Sequence, residues 1–144
     1  MRTSTVNRID EWIARVKGYG AVAAFDFIPG YPAHKTPSPV TKYTVAVTES
    51  SEKISHYFIG NNIAQRRCGK LAEIELRLRV YAPEGSSGSS LLRASTLLMD
   101  AMEVQDSGNA IDSLMLSGIG YDTAARVEYR DVIARLSMAE EAVA

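Results

Sequence analysis

Two histidines, one cysteine, a glycine- and serine-rich run and a block of alternating charges are the parts of this 144-residue chain that could do chemistry. His34 lies in a segment with three prolines and His56 in or beside a weak strand pattern. Neither has a second His, Cys or carboxylate at metal-ligand spacing. Cys68 would act as a nucleophile only beside a histidine and a group to orient it, and the order of residues selects no such partners. The run Gly85-Ser86-Ser87-Gly88-Ser89-Ser90 precedes a helical pattern, and helix N-terminal amides bind anions. It lacks the lysine and the spacing of a phosphate loop, so it reads as a hinge with a helix cap. Asp26, Asp100, Asp106, Asp112 and Asp122 are scattered and supply no acid–base pair. No catalytic residue, metal or cofactor is assigned.

The alternation in residues 71–81, L-A-E-I-E-L-R-L-R-V-Y, is the strongest pattern. As an extended strand it puts Ala72, Ile74, Leu76, Leu78 and Val80 on one face and Glu73, Glu75, Arg77, Arg79 and Tyr81 on the other. The first face goes to a core. The second carries two acids followed by two bases, which suits pairing with neighbouring strands or another subunit but does not gather groups around a reacting atom. The pattern favours assembly over catalysis.

Composition sets the frame in which such a strand must work. The chain has the length of one domain, 1–144, and 46% hydrophobic residues, enough for a core without a metal or disulfide staple. Sixteen Lys and Arg nearly balance seventeen Asp and Glu. A phosphate-backbone binder needs a basic stripe, and the one compact basic group, Arg66, Arg67 and Lys70, reads as a solvated loop. A single cysteine excludes an intrachain disulfide and fits a reduced compartment. No signal-peptide run and no membrane-length apolar window occur, so a soluble protein is expected.

The elements that must position the charged strand follow from periodicity. A helix is expected over 5–17, with Val6, Ile9, Ile13 and Val16 as its stripe, Ser4 or Thr5 as its cap and Gly18 as its stop. Trp12 falls off that stripe, which leaves two readings, a partly exposed contact residue or a core-edge indole. Residues 21–28 read as a strand ending at Pro29-Gly30, 31–39 as a proline-rich connection, 42–48 as a strand, 49–53 as a polar turn and 54–59 as a further short strand. After the charged strand, 82–89 is a loop. Ser89 or Ser90 then caps a second helix to about Val104, with Leu91, Leu92, Ser95, Leu98, Met99 and Met102 as its stripe. Residues 105–109 turn the chain. Two strands, 111–119 and 126–138, are joined across Gly118, Gly120, Tyr121 and Asp122, with a bulge expected near Arg130-Asp131 and a frayed tail from Ala139. The sum is an α+β fold, a mainly antiparallel sheet of four to five strands with two helices on one face.

Three segments carry a resemblance: the strand L-A-E-I-E-L-R-L-R-V-Y-A-P, the Gly/Ser loop feeding L-L-R-A-S-T-L-L-M-D-A-M, and I-D-S-L-M-L-S-G-I-G-Y-D-T-A-A-R-V-E-Y-R-D-V-I-A-R-L. With them, residues 69–138 resemble the tail terminator, or tail completion, proteins of long-tailed bacteriophages and phage-tail-like bacteriocins. The resemblance implies a non-enzymatic virion protein, assembled in the bacterial cytoplasm. It would form a homo-hexameric ring, a collar that caps the head-proximal end of the tail tube, with DNA only passing through the lumen and no membrane contact. Glu73, Glu75, Arg77 and Arg79 would then face a neighbouring subunit or the lumen. Tyr31, His34, Lys35, Gly85, Ser86 and Ser87 would lie in loops that contact the tail tube protein, a sheath or a head-side connector. A head–tail joining protein or other minor tail protein is the alternative, and a small enzyme of unknown activity a third.

Overall fold

The chain folds in the order α1 (Thr3–Lys17), β1 (Asp26–Pro29), β2 (Thr44–Ile59), β3 (Arg67–Tyr81), α2 (Gly88–Val104), β4 (Ile111–Asp122) and β5 (Val127–Val143), with a 3-10 helix at Gly20–Ala24. The computed structural model describes residues 3–29, 40, 42–59, 67–86, 88–106, 111–123 and 126–143. The five described strands form one sheet in the order β1-β2-β3-β5-β4. β1 runs parallel to β2 and the other neighbours are antiparallel, so the fold is α+β as the pattern predicts.

The apolar face of β3 settles which side the helices take. Ala72, Ile74, Leu76, Leu78 and Val80 join Val132, Ala134, Leu136 and Met138 of β5, and against them pack Ile9 and Val16 of α1 and Leu91, Leu98 and Met102 of α2. Both helices therefore cover one face of the sheet. Trp12 resolves to the core reading: it is 5% exposed, and its indole Nε1–H donates to the Met102 carbonyl at 3.1 Å. Met102 is in the last turn of α2, where carbonyls lack helical partners, so α1 satisfies one of them, and Arg15 donates to the next loop at Gln105 O, 3.2 Å. The stripe of α1 is thus Ile9, Trp12 and Val16, with Ile13 half-buried.

Several boundaries differ from expectation. The helices begin at Thr3 and Gly88, ahead of the expected caps Ser4 or Thr5 and Ser89 or Ser90. Residues 20–24 are a 3-10 helix, and only Asp26–Pro29 is strand. The polar turn at 49–53 does not exist, because β2 is one strand through Ile59 with register shifts between Glu49 and Ser51 and between Ser55 and Phe58. An extra residue in the ladder breaks the period of two in the sequence while the strand continues. For the same reason Gly118, Gly120, Tyr121 and Asp122 belong to β4, which is shifted between Leu116 and Ile119.

The bulge expected in β5 at Arg130-Asp131 is therefore in β4 instead. β5 keeps an unshifted register against β3 and extends to Val143, so its end is paired strand, not a frayed tail. Arg67 and Lys70 likewise lie in β3, not in a loop. Arg130 and Asp131 hold the β4 bulge in place: Arg130 Nε donates to Ser117 O at 2.7 Å, and the Asp131 amide to Ser117 Oγ at 2.9 Å. The two apolar registers of β5 have a simple cause. Val127 and Tyr129 face the other side of the sheet, where with Tyr81, Ala46, Val40 and Ile28 they form a second, smaller core.

Gly120 sits directly over that second core. A Cβ at this position would stand 2.5 Å from Tyr129 Cζ and 2.7 Å from its hydroxyl. The ring is held by neighbours on the sheet, so Gly120→Ala is expected to cost about 1–3 kcal/mol through overpacking. A urea melt with an unchanged midpoint would show that Tyr129 moves aside.

Candidate functional site

The face of the sheet that no helix covers carries the charges. β3 lies between β2 and β5, so each outward side chain of β3 meets one from each neighbour. Glu73 stands between Lys53 and Ser137, Glu75 between Ser51 and Arg135, Arg77 between Thr48 and Ile133, and Arg79 between Ala46 and Asp131. The order acid-acid-base-base along β3 is answered on β5 by Asp131 opposite a base and Arg135 opposite an acid, the arrangement that favours cross-strand pairing.

Arg79 is the best-held member. Its guanidinium forms a fork on Asp131, Nε to Oδ1 at 2.8 Å and Nη2 to Oδ2 at 3.1 Å, the bidentate geometry that makes such pairs strong. It also lies 3.8 Å from the centre of the Tyr129 ring, a cation–π contact. Asp131 is buried, with 9% of its side chain exposed, and Arg79 is nearly so at 17%. Arg79 is therefore engaged within its own chain, which narrows the expected contact set to its neighbours.

Arg77 is different. Its Nε lies 3.7 Å from Asp131 Oδ2, within ion-pair reach but too far for a hydrogen bond, and that buried nitrogen has no hydrogen-bond partner among the described residues. One carboxylate thus serves two guanidinium groups. Among the described side chains this end of the open face has two arginines and one carboxylate. Towards the other end, Arg135 pairs with Glu75 at 3.3 Å, a bridge whose arginine is two-thirds exposed and so contributes little to stability. Asp112 accepts a hydrogen bond from Ser137, and Glu73 is exposed. Lys53, Glu73, Glu75, Asp112 and Arg135 border a shallow cleft of about 520 Å³. The face is graded from a basic end at Arg77 to an acidic end at Glu73 and Asp112, with exposed Met115 beside it on β4.

Of the expected loop contacts, Gly85 and Ser86 are described. Gly85 has φ +81°, the left-handed conformation glycine adopts without strain, and the Ser86 amide donates to Pro83 O at 3.1 Å. The Glu84 amide donates to Val40 O at 3.0 Å, which ties this loop to the residue four positions before β2. Tyr31, His34, Lys35 and Ser87 lie outside the described residues. His56 stands in β2 and Cys68 in β3. Among the described residues no three His, Cys, Asp or Glu group together as a metal site, and no helix is long and apolar enough to cross a membrane.

Sequence reasoning missed Lys53, Tyr129, Asp131 and Arg135. A signal existed for two of them: Asp131 and Arg135 are four apart with opposite signs, as are Glu75 and Arg79, and antiparallel pairing sets each acid against a base. No known family model matches this chain, and no curated protein matches its sequence.

Proposed function

We propose that this chain is a structural subunit of a phage tail or phage-tail-like particle, a tail-terminator-like protein. In this reading it closes into a homo-hexameric ring at the head-proximal end of the tail tube, ends tube growth and presents a surface to the next component, a sheath or head-side connector. The observation that supports this best is the graded open face, an exposed sheet surface with acid at one end and base at the other, on the α+β layout that the resemblance implies. A surface with both signs can dock on another copy in one register only, since like charges oppose the alternatives. Charge complementarity of this kind fixes geometry more than it supplies affinity.

The mechanism is geometric. Identical subunits that meet through unlike surfaces form a ring when the rotation between neighbours closes, and a closed ring offers no growing end. With a net charge of −1 for the whole chain, the lumen of such a ring would let DNA pass without holding its phosphates.

The test is polymerisation of a tail tube protein with and without this chain. The reading expects shorter tubes, each with the chain at one end only; tubes of unaltered length with no bound chain would contradict it. Within the ring, Glu73→Lys and Arg77→Gln are each expected to raise the concentration needed for assembly by about tenfold while thermal midpoints stay close to that of the unaltered protein. Unchanged assembly in both variants would remove the open face from the interface.

A further inference from the structure

Among the described residues Arg77, Arg79 and Arg130 are half-buried arginines. The first two share the carboxylate of Asp131, whereas Arg130 has no ion-pair partner among the described residues. Neutral oxygens hold its guanidinium instead: Nε donates to the Ser117 carbonyl at 2.7 Å and Nη1 to Ser95 Oγ at 3.3 Å. Ser95 is fully buried in α2 and donates its own hydroxyl proton to the turn before it, at Leu91 O, 2.9 Å. A charge drawn partly out of water onto neutral acceptors is incompletely compensated, and a carboxylate is the group that completes it. Glu128, two positions earlier on β5, does not do so; it lines a separate small cleft with Arg126 and Ser86.

The surroundings of Arg130 are apolar and exposed. It shares the register of Val132 and Ala134 and so lies on the helix side of the sheet, between α2 and β4. Ile119 is its partner across the ladder, Tyr121 follows Ile119 on the same face, and Leu92 stands in the turn of α2 that precedes Ser95. These three are 43%, 58% and 42% exposed, and Thr96 beside them is uncharged and exposed. Arginine and tyrosine are the residue types on which binding energy concentrates in protein interfaces, and a guanidinium already fixed by two hydrogen bonds has little freedom left to lose. A nucleic acid or an anionic membrane would call for a row of cations, which this patch lacks. The register shift of β4 between Leu116 and Ile119 disfavours the addition of a strand at its edge, so an incoming segment is directed onto the face.

We infer that Arg130, Leu92, Ile119 and Tyr121 form a docking surface for a segment of another protein that presents a carboxylate among apolar side chains. The carboxylate meets the free side of the Arg130 guanidinium, and the apolar groups cover Leu92, Ile119 and Tyr121. This surface is on the opposite side of the sheet from the graded open face and does not depend on the ring reading.

NMR titration of the unaltered protein tests the inference, with a synthetic amphipathic peptide that carries one glutamate in a stripe of leucines, the same peptide with glutamine in that place, and inorganic phosphate. The glutamate peptide is expected to bind about tenfold more tightly than the glutamine peptide, with saturable shifts at Leu92, Ile119, Tyr121 and the Arg130 Nε–H. In Arg130→Gln the two peptides should bind alike. In Tyr121→Ala, which alters only an exposed ring, both should weaken while the preference for glutamate remains. Equal binding of the two peptides to the unaltered protein, no saturable shift at these residues, or a preference that survives in Arg130→Gln overturns the inference. The same shifts produced by phosphate alone overturn it in favour of a small-anion site. None of these outcomes bears on the ring reading, which tube growth tests separately.

Discussion

Asp131→Ala is expected to destabilise the protein by about 3 kcal/mol, the largest effect of any charged residue on the open face, because it removes a buried carboxylate that is paired with two guanidinium groups. Asp131 is 6% exposed as a residue and accepts both guanidinium hydrogen bonds of the Arg79 fork, with Arg77 at 3.7 Å on its other side. Removing it leaves two guanidinium groups close together with their shared counter-charge gone. Arg79→Ala should cost less than this, since the carboxylate retains Arg77, and the double variant should be less harmful than the sum of the two. A coupling of about 1–3 kcal/mol between the two sites is expected for groups in one network. Urea melts of the three variants measure it. A loss below about 1 kcal/mol for Asp131→Ala would mean that the pair is no better than a surface bridge.

The second large effect is expected at the centre of the sheet. Leu78 is fully buried in β3, opposite Val47 of β2 and Val132 of β5, on the face that the helices cover. Leu78→Ala removes side-chain volume where rigid backbone on both sides cannot close in, so the cost should reach about 3–4 kcal/mol. For a chain of this size that lowers the thermal midpoint by roughly 10 °C. Leu92→Ala, on the exposed side of α2, is the control and should leave the midpoint nearly unchanged. Equal losses at both positions would contradict the assignment of the core face.

Those two residues also show what the sequence makes legible. Leu78 could be assigned to the core from its neighbours alone, because β3 alternates without interruption and is paired on both sides. The helices were readable as elements for the same reason, with their period held by tertiary burial. β2 and β4 were not readable to their ends, since each ladder contains extra residues that shift the alternation at Ser50 and at Ser117-Gly118. Trp12 was ambiguous because its role depends on the carbonyl of Met102, ninety positions away, which no local period reveals. The candidate site was half legible. Glu73, Glu75, Arg77 and Arg79 are on one open face as expected, but whether each charge is available depends on β5, and only the register shows that Arg79 is committed to Asp131 while Arg77 is not.

The parallel pairing of β1 with β2 was beyond the sequence for a related reason. Short connections imply antiparallel neighbours, whereas the chain between Pro29 and Thr44 is long enough to return in the same direction. That pairing makes β1 a short strand beside residues 44–47 of β2.

The measurement that bears most directly on the proposed function is electron microscopy of the protein in negative stain, alone and mixed with tail tubes, beside its mass by light scattering. A ring with sixfold symmetry and a central hole, present in solution or seated on one end of each tube, is the predicted result. Monomer mass alone, together with tubes whose ends carry no added ring, would contradict the account.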